Sequence, residues 1–152
     1  MELKELIGPV VLSGVGLATA ALEWPILREG LRSMRWPSVR GRVTSSEFKD
    51  GPFSGRYIRT TTGRALVTYQ YEVNGHEVTG TRVFVGDQDF GSAYEAQRRT
   101  RHYYPGVSVA VYYDPREPSQ SVLERGVPWA RRWKFFMGVA LLVAGVAVII
   151  SS

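Results

Sequence analysis

Residues 6–22 read LIGPVVLSGVGLATAAL, a run without a single charge. A membrane-spanning helix needs ~20 mostly apolar residues, within roughly 17–25. The run reaches the lower end of that range alone. It becomes comfortably long if Glu23 lies in the headgroup layer and Trp24, Ile26 and Leu27 extend it, giving a first spanning helix over 6–27. A second uncharged run, FFMGVALLVAGVAVIISS, fills 135–152 directly after Lys134. It predicts a second spanning helix over 129–151. The segment between the runs is polar, Arg-rich and strand-like, so the apolar residues are segregated in a way that one globular core does not require.

Both runs are rich in small residues, as close-packed membrane helices are. Gly14 and Ala18 form a small-xxx-small pair, as do Ala140 and Ala144, and Gly138 and Gly145 share a helix face. These positions are the candidate helix-packing residues, within the chain or between copies of it. The four tryptophans, Trp24, Trp36, Trp129 and Trp133, all fall just inside the apolar runs. Trp prefers the membrane–water boundary, where its ring is half apolar and its N–H reaches water. All four are therefore assigned to that boundary.

The 152-residue chain carries 19 Lys+Arg against 14 Asp+Glu. Arg28, Arg32, Arg35, Arg40 and Arg42 follow the first run; Arg125, Arg131, Arg132 and Lys134 precede the second. Positive charge next to a spanning helix favours the cytoplasmic side. The middle domain is thus expected in the cytoplasm of a bacterial cell, anchored in the inner membrane, with both termini outside. The basic flanks also attract anionic lipid headgroups, which makes membrane lipids expected partners. Clustering at the flanks rather than on a recognition motif argues against nucleic acid. A cleaved signal peptide is the rival reading of the first run, but Met-Glu-Leu-Lys-Glu lacks the usual net positive charge. Within 26–36 (ILREGLRSMRW) apolar residues and arginines alternate at helical spacing after Pro25, which is expected to end or kink the first helix. The segment 28–36 reads as an amphipathic piece lying on the membrane or as a plain extension of the helix. With no cysteine, disulfides and thiolate chemistry are excluded.

The β-rich domain spans 37–126. Val39–Phe48 reads as a strand with Val39, Gly41, Val43 and Ser45 on one face. Ala65–Val73 (ALVTYQYEV) alternates strictly, with Val67, Tyr69, Tyr71 and Val73 pointing one way. Asn74-Gly75 is a favoured two-residue hairpin turn, and His76–Val85 is the return strand. Ser92–Tyr103 is predicted helical, with Ser92 and Glu95 in a capping box. Val107–Tyr113 and Gln120–Glu124 complete the sheet. The expected fold is two transmembrane helices flanking a small, mostly antiparallel β-sandwich or partial barrel with one short helix. The Lys49–Gly55 stretch carries turn chemistry, and Asp50, Phe53 and Tyr57 are candidate partner-binding residues in the loop that begins there.

Trp36-Pro37, Gly41-Arg42-Val43, the Val-Thr-Tyr-Gln-Tyr-Glu-Val-Asn-Gly hairpin, Tyr104-Pro105-Gly106, Val111–Pro115, Pro118 and Val122-Leu123-Glu124 follow one another in this order. Together they resemble a widespread bacterial family, a domain of unknown function carried between two membrane helices. The resemblance covers nearly the whole chain, apart from a longer insert around Lys49–Thr62. It implies the fold and no activity.

No catalytic constellation stands out. His76 and His102 lack metal-ligand spacing, and the chain has no phosphate-binding Gly loop, nucleophile elbow or zinc motif. No cofactor is implied. Asp87 and Asp89 form an acidic loop that reads as a cation or general-base site, or as helix-entry capping. The expected function is a non-enzymatic membrane-anchored binding or accessory subunit, docking onto a membrane-protein partner or self-associating through its β domain and helices. Two alternatives are an immunity-type protein acting against a membrane-directed toxin and a lipid- or peptide-binding module.

Overall fold

The structure is a computed structural model that describes residues 3–51, 62–87 and 91–151. Two long helices, α1 (Leu3–Ser33) and α3 (Trp129–Ser151), bracket a β-rich segment in the chain. That segment contains β1 (Ser38–Asp50), β2 (Thr62–Val73), β3 (His76–Gly80), β4 (Gly91–Ser92), α2 (Ala93–His102), β5 (Ser108–Asp114) and β6 (Glu117–Val122). The chain forms two compact units, 1–29 with 127–152 and 30–126.

In the first unit the two helices pack as an antiparallel pair. Backbone contact is closest at three glycines. A Cβ on Gly16 would lie 2.7 Å from the Gly138 carbonyl oxygen; one on Gly138 would lie 3.2 Å from the Ala20 nitrogen; one on Gly145 would lie 2.8 Å from the Pro9 carbonyl oxygen. A side chain at Gly16 or Gly145 would force the backbones apart, and one at Gly138 would need its neighbours to give by a few tenths of an ångström. Trp24 packs near Phe135 with ring centroids 6.2 Å apart. The hydroxyls of Ser13 and Thr19 donate to the carbonyls of Pro9 and Val15 at 2.9 and 2.8 Å, so neither polar group is left without a partner in an apolar helix. Pro25 does not end α1, which continues to Ser33. Pro removes one backbone donor, while the turns on either side keep theirs. The basic residues Arg28 and Arg32 therefore lie on a plain extension of the helix. The stretches Ile7–Ser33 (27 residues) and Arg132–Ser151 (20 residues) are each long and apolar enough to cross a membrane.

The second unit is built on one six-stranded antiparallel sheet, ordered β3-β2-β1-β5-β6, with β4 pairing only the start of β2. Among the described residues there is no second sheet to make a sandwich. Instead the sheet curls until its ends meet: Leu123 and Glu124 N–H both donate to the Val83 carbonyl, at 3.0 and 2.7 Å. The partial barrel is the form that this sheet takes. Val67, Tyr69, Tyr71 and Val73 all point into the core, as the alternation of β2 requires. Asn74 and Gly75 both have positive φ, 53° and 79°, the geometry of a tight hairpin turn.

Several elements depart from the sequence-based expectation. The alternation of β1 changes phase at a register shift between Val43 and Ser45. Beyond it Phe48, not a residue in step with Val43, packs on the core; one extra residue flips the facing set. The return strand stops at Gly80 because the next carbonyls are engaged elsewhere: Arg82 O by the Tyr69 hydroxyl at 2.8 Å and Val83 O at the barrel closure. The last strand begins at Glu117 rather than Gln120. Ser92 does stand at the N-cap of α2, but its side chain makes no capping bond, and Glu95 instead pairs with Arg99 at 3.4 Å.

The ends of this unit are stitched together. Ser33, fully buried, accepts the Gly126 N–H at 2.9 Å on its hydroxyl oxygen, and Arg125 Nη1 donates to the Met34 carbonyl at 3.3 Å.

Candidate functional site

Along its outer side, β2 pairs with β3 over Tyr69–Val73 and with β4 over Thr62–Gly63. Among the described residues, 64–68 have no strand partner on that side. Residues 81–87 are not in a strand, and α2 packs against β2. A cavity of about 60 Å³ beside this stretch has walls that include Arg64, Ala65, Val83, Phe84, Asp87 and Arg99.

Two charged groups in this cavity are incompletely bonded. Asp87 is only 5% exposed. Its Oδ2 accepts the Val83 N–H at 2.5 Å, closing a short turn, but Oδ1 is buried without a partner among the described residues. Arg64 Nε is likewise buried and unpartnered. Burial pushes the Asp87 carboxyl above the ordinary carboxylate range; the Val83 N–H bond and the charges of Arg64 and Arg82 oppose that rise. An orphaned buried polar atom costs about 1–3 kcal/mol. Arg99, by contrast, is fully committed: it bridges Glu95 at 3.4 Å and Glu124 at 3.3 Å, and its guanidinium lies 4.7 Å from the Phe84 ring centroid. The described residues contain no group of three His, Asp or Glu able to hold a metal.

The residues singled out in the sequence are distributed as follows. Trp24, Trp129 and Trp133 are exposed, with Trp129 and Trp133 6.1 Å apart between ring centroids. Arg28, Arg32, Arg35 and Lys134 are exposed and Arg132 is half-buried. Trp36 corrects the sequence reading. It is 7% exposed; its backbone N–H donates to the Ser33 carbonyl, and the Pro37 carbonyl accepts the Tyr113 N–H. Gly138 and Gly145 lie at the helix crossings, whereas Gly14 and Ala18 are exposed and a Cβ on Gly14 would meet nothing. Asp50 ends β1 and is exposed. Phe53, Tyr57, Asp89 and the Arg131 side chain lie outside the described residues. Both histidines are exposed.

Sequence reasoning missed Gly16 and Arg64. Gly16 had a legible signal, since Pro9, Ser13, Gly16 and Ala20 recur at helical spacing. Arg64 had none, because strand alternation places it beside Leu66 and Thr68 on the face away from the core. Asp87 was weighed as a helix-entry cap; it caps no helix and instead closes the Val83–Asp87 turn.

A curled antiparallel sheet with one short helix, carried in sequence between two long apolar helices, defines the class of architecture. The chain belongs to the family described as a domain of unknown function (DUF3592), whose model matches residues 39–128. The match begins in β1 and ends just before α3, so it covers the β-rich unit. No curated protein matches the chain.

Proposed function

We propose that this protein is a non-enzymatic, membrane-anchored binding or accessory module, which docks onto another membrane protein through its β unit. The observation that carries the anchoring is the outward surface of the helix pair. Leu22 is 75% exposed and Ile150 80%, and Ile7, Val11, Leu17, Phe136 and Val143 are exposed with them. Exposed apolar surface on that scale marks a membrane or partner contact. Two helices of spanning length with hydroxyls satisfied internally suit the bilayer. The resemblance to bacterial two-helix proteins supports the cytoplasmic membrane as its location. The arginines that flank both helices support a cytoplasmic β unit in contact with anionic lipid headgroups. The small sheet of the β unit supports docking, because an exposed sheet edge is a template for a partner's backbone.

The test is purification of the full chain from its native membrane in mild detergent. A membrane protein that stays bound in fixed stoichiometry through size-exclusion chromatography is expected. An isolated monomer, or a chain carrying lipid alone, would overturn the docking role.

A further inference from the structure

We infer that the outer face of the β1–β5 pair seats the headgroup of an anionic phospholipid, with the lipid phosphate on Arg40 and Arg42. The inference rests on the membrane anchoring proposed above and adds a lipid site on the β unit itself.

Three observations converge on such a headgroup. The first is space. Ser38 and Arg40 of β1 and Ser108 and Ala110 of β5 line a shallow trough of about 450 Å³, and all four are exposed. Side chains alternate across a strand, and Val39 and Val111 of the same pair reach the core, so these four face outward. Three of them are small, and no residue lining the trough carries a carboxylate. The second is charge. Arg40 stands opposite Ala110 and Arg42 opposite Ser108, on one face and about 7 Å apart along the strand. Both are exposed, and neither pairs with a carboxylate of the described residues. Glu72 and Glu77 of the same face oppose each other across β2 and β3, on the side of β1 away from β5. Two such guanidiniums beside the Ser108 hydroxyl make a donor set for phosphate oxygens. The third is position. Tyr112 pairs with Ser38 at the end of the trough, and the Arg125 guanidinium lies over its ring, 4.4 Å from the centroid. Arg125 in turn donates to Met34, and Gly126 to Ser33. Ser33 is the last residue of α1, and the chain from there to Ser38 spans at most ~18 Å. The trough therefore begins at the corner of the β unit from which the chain passes to both apolar helices. The anion that this connectivity brings within reach is a headgroup of the layer in which those helices end.

The full chain, delipidated in detergent, is titrated with dihexanoyl phosphatidylglycerol or dihexanoyl phosphatidylcholine and followed by native mass spectrometry. The parent should retain phosphatidylglycerol in preference to phosphatidylcholine. Each arginine is worth about fivefold towards anionic lipid, so Arg40→Gln with Arg42→Gln should weaken phosphatidylglycerol binding ~10–30-fold. Ala110→Glu, which sets a carboxylate opposite Arg40, should weaken it too with both arginines intact. α2 packs on the core face of the sheet through Ala96 and Tyr103, so its exposed Arg98 and Arg101 stand across the sheet from the trough. Replacing those two by Gln should leave binding within about twofold, because exposed charges beyond ~10 Å are screened. Undiminished binding by both trough variants, or an equal loss in the α2 variant, would overturn the inference. So would loss of a co-purifying membrane protein from the Arg40→Gln, Arg42→Gln chain while phosphatidylglycerol binding is kept, since the trough would then serve a protein. A parent chain that resists carbonate extraction from membranes yet shows no preference for phosphatidylglycerol would overturn the headgroup site and leave the anchoring standing.

Discussion

Tyr69 is where the two edges of the curled sheet are tied to its core. Its ring is fully buried, and its hydroxyl donates to the Arg82 carbonyl at 2.8 Å and meets the Ser121 hydroxyl at 3.0 Å. Burial pushes the phenol well above its ordinary pKa, so it stays neutral at any working pH. Tyr69→Phe keeps the ring and strands both partners, so we expect a loss of about 1–2 kcal/mol of stability, measured by denaturant unfolding of the full chain in detergent. An unchanged midpoint would mean that water replaces the hydroxyl. Asp87 has the opposite character, because its charge is a liability. Its folded-state pKa is raised from 3.8 by burial, against the pull of the Val83 N–H, Arg64 and Arg82. A raised carboxyl binds its proton more readily in the folded chain. Its favourable contribution is therefore complete below the unfolded value near 3.8 and is lost as pH rises through the folded value. Asp87→Asn removes this dependence. The difference in thermal midpoint, parent minus variant, should accordingly fall as pH is raised from the ordinary carboxylate range towards neutrality. A difference that grew with pH would show that the ionised carboxylate is instead stabilising.

At the scale of elements, the helix pair depends on three glycines, and they make a sharp comparison possible. Gly16 sits where a Cβ would meet the backbone of α3, whereas Gly14, two residues away, faces open space. Gly16→Leu should separate the helices and Gly14→Leu should not. Short bis-maleimide cross-linking between Trp24→Cys and Phe135→Cys, whose native rings lie 6.2 Å apart, reports this directly. Its yield should drop several-fold for Gly16→Leu alone; parallel loss in both variants would contradict the crossing. The example also shows what could be read in advance. The existence of both helices, the β2–β3 hairpin and the α2 segment follow from local pattern: charge-free runs, strict alternation and Asn74-Gly75. What escaped depends on contacts distant in sequence. The early end of β3 comes from bonds to Tyr69 and to the segment after β6. The phase change in β1 comes from a bulge that periodicity cannot announce. The unsatisfied pair of Arg64 and Asp87 exists only because β2 and the Val83–Asp87 turn meet at one cavity. Trp36 is buried where the other three tryptophans are exposed, a difference that its place next to an apolar run does not announce.

On the scale of the whole molecule, the proposed orientation in the membrane rests on where the charge lies. Arg28 and Arg32 are on the last turns of α1, Arg35 follows directly, and Arg132 and Lys134 are in the first turns of α3. All sit at the helix ends that lead to the β-rich segment. If both helices span, connectivity places that segment on one side, and the positive-inside bias is the ground for proposing that this side is the cytoplasm. The Ser33–Gly126 and Met34–Arg125 bonds fasten the points where chain enters and leaves the β unit, which suits two spanning segments that run as a hairpin. A topology reporter inserted after Asp50, at the exposed end of β1, tests this without disturbing the core. It should be active only in its cytoplasm-reporting form. Activity of the periplasm-reporting form would reverse the orientation, and activity of neither with full protein accumulation would mean that the insertion is shielded. Replacing Arg28, Arg32, Arg35, Arg132 and Lys134 together by Gln should weaken the bias and let both reporter forms register. A single orientation retained after all five changes would show that charge does not set it, and that the weight must lie with the β unit's resistance to translocation.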